Sequence, residues 1–363
     1  MIRAGCGRLA ALCCLISLFG PGNAVAIDAS RGLLELRLGT TRIEGMPLAW
    51  SKQRVFLLAR DGRMWDFPPG EAEDFQKLPG RFSSYSAGVM RSQLQSELGR
   101  EFEVTGTGRY LVAYPAGQKN LWAERFEELY RSFVHYFAVR GFRVKDPTFP
   151  LVAVVFPNHQ AFRGYAAREG RQVPANVLGY YSPVSNRVAL YDTRKGDSDW
   201  HTNAETIIHE ATHQTAFNTG IHSRFAEQPR WAVEGLAMLF EAQGVWNSRA
   251  QQNLEDRINR SQLASFRRFQ SRGRKADSLA QLLSSDRRFE HDTQNAYAEA
   301  WALSFFLVET EPRKYSRYLQ HLAALPDFAM RTPAERLHDF TEVFGENLPL
   351  LEARFQEFVK ELK

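Results

Sequence analysis

The order of elements along this chain predicts an α+β fold. Strand-like and mixed segments occupy residues 27–200, and helical periodicity dominates from 203 to the end. The 363 residues are 44% hydrophobic and 24% charged, an ordinary balance for packed domains that argues against long disorder. That length allows one large or two modest domains.

Residues 1–26 read as a secretory signal peptide. Arg3 and Arg8 give a positive start, Leu9 to Phe19 a short apolar run, and Ala24-Val25-Ala26 a small-x-small cleavage site. The run is too short to span a bilayer comfortably, which takes about 20 residues. Cys6, Cys13 and Cys14, the three cysteines of the chain, all fall in this segment. The mature chain is therefore expected to form no disulfide and to bind no metal through thiolate. Export without disulfides points to a bacterial periplasm, the extracellular space or a cell surface, with no stable membrane insertion after cleavage. With Arg3 and Arg8 gone, 44 Lys and Arg face 41 Asp and Glu. That mild excess calls for no nucleic-acid partner.

Residues 27–73 predict a small β-rich module, an SH3-like barrel or a short meander. Two strand-like runs flank Asp61-Gly62, a hairpin signal, and Pro68-Pro69-Gly70 ends them. A cell-wall or partner-binding role for this module would give contact with the cell envelope. Trp50 and Trp65 read as core rather than as a ligand platform.

Residues 74–200 predict the sheet-containing part of a larger domain. A helix is expected near Val89 to Leu98, then a hairpin over Phe102–Thr105 and Tyr110–Tyr114. Asn120 to Val139 reads as an amphipathic helix stopped by Gly141, with Leu121, Phe126, Leu129, Phe133 and Phe137 on one stripe. Leu151 to Phe156 is a continuous apolar run, hence a buried strand. A short helix near His159 to Arg168 and a hairpin of Gly179–Pro183 with Arg187–Tyr191 follow.

Residues 201–363 predict the helical part, and it carries the chemistry. Thr202 and Glu205 suit a capping box, and Gly220 suits the position just past a helix end. Between them stands His209-Glu210-Ala-Thr-His213. Four-residue spacing puts both imidazoles on one helix face, within reach of one zinc ion. Glu210, about 100° round the helix, is placed to hold a water without ligating. The segment Trp231-Ala-Val-Glu234-Gly235-Leu-Ala237 opens behind Pro229. Its apolar setting makes Glu234 the third metal ligand and leaves a fourth position for water.

His-Glu-x-x-His-Gln followed by Trp-x-x-Glu-Gly-x-Ala resembles the gluzincin metallopeptidases, a zincin clan, and within them the aminopeptidase N branch. The chain is more similar still to a family of exported bacterial peptidases in that clan, and this likeness includes Gly179-Tyr-Tyr-Ser-Pro183. The resemblance implies a zincin-like catalytic domain, in which a mixed sheet with a substrate-holding edge strand lies over the metal-binding helix. It implies one zinc ion on His209, His213 and Glu234, with Glu210 as general base. Tyr297 would donate to the oxyanion, with His222 and the edge-strand residues Tyr180 and Tyr181 as other candidates. Glu241, seven residues past Glu234, would bond a ligand histidine.

One departure is informative. Aminopeptidase N relatives carry an acid-bearing edge strand that captures a free amino terminus, whereas Gly179 to Asn186 contain no acid. Endopeptidase action on peptide or protein substrates is therefore expected. The alternatives are an exported envelope-binding protein with a structural metal, or a hydrolase of peptidoglycan peptide stems. A basic stretch, Arg267 to Lys275 with Arg287-Arg288 beyond it, reads either as a docking site for an acidic polymer or as a solvated face.

Overall fold

The structure, a computed structural model, describes residues 25–26, 32–118, 122–142, 144–193, 201–247 and 253–363. Apart from the last two backbone positions, the expected signal segment lies outside them. The chain forms two compact units. Among the described residues, one comprises those up to 127 and those from 147 to 193, and the other those from 128 to 146 and from 201 to 363.

The first unit holds two sheets. Strands β1 (Val25–Ala26), β2 (Gly32–Leu38), β3 (Thr41–Trp50), β4 (Val55–Ala59), β5 (Met64–Phe67) and β6 (Ala72–Arg81) make an antiparallel sheet ordered β5-β4-β3-β2-β6, with β1 on β3. The β4–β5 hairpin turns at Asp61-Gly62. Gly62 takes φ +89°, and Asp61 Oδ1 accepts the Arg63 amide at 2.9 Å. Trp50 and Trp65 are half-buried against the core formed by Leu36, Val55, Leu57 and Phe67. The sheet runs past residue 73, because β6 pairs with β2 as an edge strand exposed along most of its length.

The second sheet has the order β10-β11-β9-β8-β7, from β7 (Phe102–Thr107), β8 (Tyr110–Pro115), β9 (Leu151–Phe156), β10 (Gly179–Ser182) and β11 (Arg187–Tyr191). It is mixed: β9 pairs in parallel with both β8 and β11, and the outer pairs are antiparallel. Strand β9 is buried at every position, which is why its sequence does not alternate. Helix α1 (Ala87–Leu98) starts at Ser86, whose side chain accepts the Val89 amide, and seats Met90 and Leu94 in the core of this sheet. Helix α2 (Trp122–Ala138) follows β8. Helix α3 (His159–Arg168) starts at Asn158 and adds Phe162 and Tyr165 to the same core.

The helical unit is organised on α5 (Arg230–Phe240) and α10 (Thr293–Thr310). Every residue from Trp231 to Phe240 is buried, as is every residue from Ala296 to Val308, so both helices are enclosed on all sides and are mostly apolar apart from Glu234, Glu299 and Ser304. Gly235 lets them close. A Cβ there would lie 2.1 Å from Ser304 Oγ and 2.6 Å from the Ala300 carbonyl. Helix α4 (His201–Asn218) precedes α5 and ends as expected, with Gly220 at φ +79° and the Ile221 amide on the Ala216 carbonyl. It starts at His201, and the Thr202 side chain of the expected capping box lies outside the described residues. Helices α6 (Gln243–Trp246), α7 (Arg260–Ser271), α8 (Ser278–Ser284) and α9 (Arg288–His291) lie between α5 and α10 in the chain. Helices α11 (Pro312–Ala323), α12 (Pro333–Phe344) and α13 (Leu348–Glu361) follow. They supply Phe266, Leu282, Phe289, Tyr318, Phe340 and Phe355 to one continuous core. Among the described residues no helix is long and apolar enough to cross a membrane.

Candidate metal centre

One turn of α4 stacks His209 over His213. The rings meet edge to face at 4.6 Å, and their Nε2 atoms lie 3.0 Å apart. Helix α5 brings Glu234 to the same point, with its Oε2 3.4 Å from His209 Nε2 and 3.6 Å from His213 Nε2. All three side chains are buried. Neither carboxylate oxygen of Glu234 accepts a hydrogen bond, an expensive state for a charge removed from water.

A divalent ion would resolve that arrangement. Ligands about 2.0–2.1 Å from a tetrahedral ion stand about 3.3 Å from one another, the scale of the three separations observed. Two nitrogens and one carboxylate oxygen are also a zinc-type donor set. The three residues thus form a group that could hold a metal ion.

The electrostatics agree. Burial disfavours the His209 cation, yet Glu234 and Glu241 outweigh it and hold His209 well above its ordinary range. Burial likewise pushes the Glu234 carboxyl up, but the His209 and His213 rings outweigh that and hold it well below the usual carboxylate range. The pocket is a place that favours positive charge.

The His209 ring is held from behind. Its Nδ1 lies 2.8 Å from Glu241 Oε1, and Asn259 Nδ2 donates to Glu241 Oε2 at 2.6 Å and to the Met238 carbonyl at 3.2 Å. With the carboxylate accepting from Nδ1–H, the lone pair of Nε2 faces Glu234 and His213. Glu210 is buried on the next position of α4, close enough for its charge to favour the His209 cation.

The candidate oxyanion donors have distinct surroundings. Tyr297, the fifth residue of α10, is buried. It receives a hydrogen bond on Oη from Arg230 Nη2 at 3.2 Å, and Arg230 Nε stands 3.8 Å from Glu234 Oε1. His222, just past α4, is buried against Phe217 with neither ring nitrogen hydrogen-bonded. Burial first, and then the nearby His213, push its imidazole down to about 3, so it is neutral. The Tyr180 hydroxyl donates to Glu169 Oε2 at 2.9 Å and that of Tyr181 to Asn186 Oδ1 at 2.8 Å, both within the sheet unit. On β10 and its turn, residues 179–186 present no carboxylate.

Two members of this site escaped sequence reasoning. Arg230 sits one turn before Glu234, and helical spacing alone would have nominated it. Asn259 caps α7 by accepting the Gln262 amide, and nothing in its local sequence marks it as a partner of Glu241.

Residues 203–329 match the model of a family described as "Protein of unknown function (DUF1570)". No curated protein matches the chain by sequence. Among solved structures, the chain is similar to an M1 zinc metallopeptidase from Deinococcus radiodurans at 14% identity. That match covers 71% of this chain and 50% of the other, with a TM-score of 0.37. A glutamate-to-alanine variant from the same organism, bound to a Tyr-Ser-Ala substrate, matches at 13% identity over 72% of this chain and 52% of the other, with a TM-score of 0.41. The chain spans about half the length of these structures.

Proposed function

We propose that this chain is an exported zinc-dependent metallopeptidase acting as an endopeptidase. The observation that carries this reading is the buried convergence of His209, His213 and Glu234 with Glu210 beside them. A purely structural metal site has no use for an extra buried acid next to its ligands.

His209, His213 and Glu234 would hold one zinc ion, which when bound supplies Lewis acidity toward a scissile carbonyl and makes water easier to deprotonate. Glu210 takes the proton of the attacking water and delivers it to the leaving amine. Tyr297 donates a hydrogen bond from its hydroxyl to the oxygen that gains charge as the carbonyl becomes tetrahedral. Glu241 and Asn259 keep His209 in the tautomer that ligates. The lack of an acid between Gly179 and Asn186 favours cleavage within chains over removal of amino-terminal residues. Export is inferred from residues 1–26, and contact with the cell envelope from the β-rich N-terminal segment.

The test is cleavage of a peptide library by the mature protein with stoichiometric zinc, beside Glu210→Gln. The expected result is cleavage by the parent only, with equal zinc in both proteins. Loss is expected to be about 100-fold or more. Cleavage that persists in Glu210→Gln, or a parent that never retains zinc, refutes the reading.

A further inference from the structure

We propose that Arg230 is a positioning residue that sets the hydroxyl of Tyr297 for oxyanion contact and ties it to the ligand Glu234. This rests on the peptidase reading above and goes beyond it, since the resemblance assigns no role to this arginine.

Arg230 is fixed from several sides. It opens α5, where the first backbone amides have no partner inside the helix, and its own N–H donates to Asp286 Oδ1 at 3.0 Å. Asp286 is in turn bound by Arg336 Nη2 at 2.5 Å. The guanidinium lies over the Phe289 ring at 5.1 Å and the Tyr297 ring at 5.8 Å, and those two rings pack edge to face at 5.3 Å. Its side chain is only 12% exposed.

The bond to Tyr297 has a defined direction. A guanidinium carries donors and no acceptor, so in the Nη2–Oη contact the phenol oxygen accepts. The phenol's own proton therefore does not point at Arg230. The same cation reaches toward Glu234 Oε1 from one helical turn away. One planar group thus spaces the phenol from the metal ligand, a task for which a lysine ammonium lacks the fork.

The experiment uses the full chain loaded with zinc. Two binding constants are read: that of a phosphinic peptide, whose tetrahedral phosphinate mimics the oxyanion, and that of the parent peptide in the Glu210→Gln background. Arg230→Gln is expected to weaken phosphinic-peptide binding about 10-fold or more while leaving zinc content and parent-peptide binding within about 2-fold. In a Tyr297→Phe background the same substitution should add nothing. Arg230→Lys, which keeps the charge and guards against misfolding, should show an intermediate loss. Equal weakening of both ligands, an equal loss with and without the Tyr297 hydroxyl, or loss of zinc overturns the assignment. A parent protein that binds zinc and the phosphinic peptide tightly but is indifferent to Arg230→Gln sinks only the role of Arg230. A parent that binds neither sinks the peptidase reading, and this inference with it.

Discussion

Glu241 Oε1 lies 2.8 Å from His209 Nδ1, on the side of the ring opposite the nitrogen that faces Glu234. The acid is itself gripped by Asn259. Partners behind a ligand typically set 10- to 100-fold in metal affinity or activity. Glu241→Ala is therefore expected to weaken zinc binding by about 10- to 100-fold, and Asn259→Ala by about 10-fold or less. Competition against a chelator of known affinity reads both, and unchanged affinity in Glu241→Ala would contradict the pairing.

Metal and fold should be linked. An ion that binds only the native state at 100 times its dissociation constant adds about 2.7 kcal/mol to unfolding. Calorimetry with and without zinc should show a rise in Tm for the parent and little for Glu234→Ala. A parent Tm indifferent to both zinc and chelator would argue against a native-state site.

Gly235 has no room for a side chain. Gly235→Ala sets a methyl against Ser304 Oγ and the Ala300 carbonyl. Overpacking of this kind costs about 1–3 kcal/mol, and denaturant unfolding should show it. The carbonyl is backbone and cannot rotate away, so Ser304→Ala in the same chain should recover only part of the loss.

Tyr136 gives a pH dependence remote from the site. Burial, the largest influence, pushes its phenol from 10.0 to about 12. The unfolded chain therefore releases this proton first as pH rises, and the native state holds it. Stability from this group is complete below pH 10 and is lost between there and about 12, at up to about 1.4 kcal/mol per pH unit. Tyr136→Phe should flatten that part of the alkaline limb. An identical slope in both proteins would rule out the contribution.

Much of this site is legible because its spacings are local. His209, Glu210 and His213 lie about one turn apart on one helix, and Glu234 and Glu241 about two turns apart on the helix behind Pro229, so helical geometry orders each group without tertiary knowledge. The junction between the groups is not local. That α10 lies against Gly235, that Asn259 reaches Glu241, and that Asp286 holds both Arg230 and Arg336 all depend on packing among distant helices. The same limit applies in the sheets. Strand β9 announced itself by a wholly apolar run, whereas β6, a mostly exposed edge strand with Pro79 and Gly80, carries no alternation and ran unnoticed beyond residue 73.

The seam at Gly235 has a mechanical consequence. Glu234 and Tyr297 stand on two rods pressed together without a cushioning side chain, so a strain that tilts one rod carries the other with it. Arg230 bridges the two rods, and Asp286 links it in turn to Arg336 of α12. The histidines ride a separate rod, α4. Glu241, at the end of α5, ties that rod back to the frame through the His209 ring.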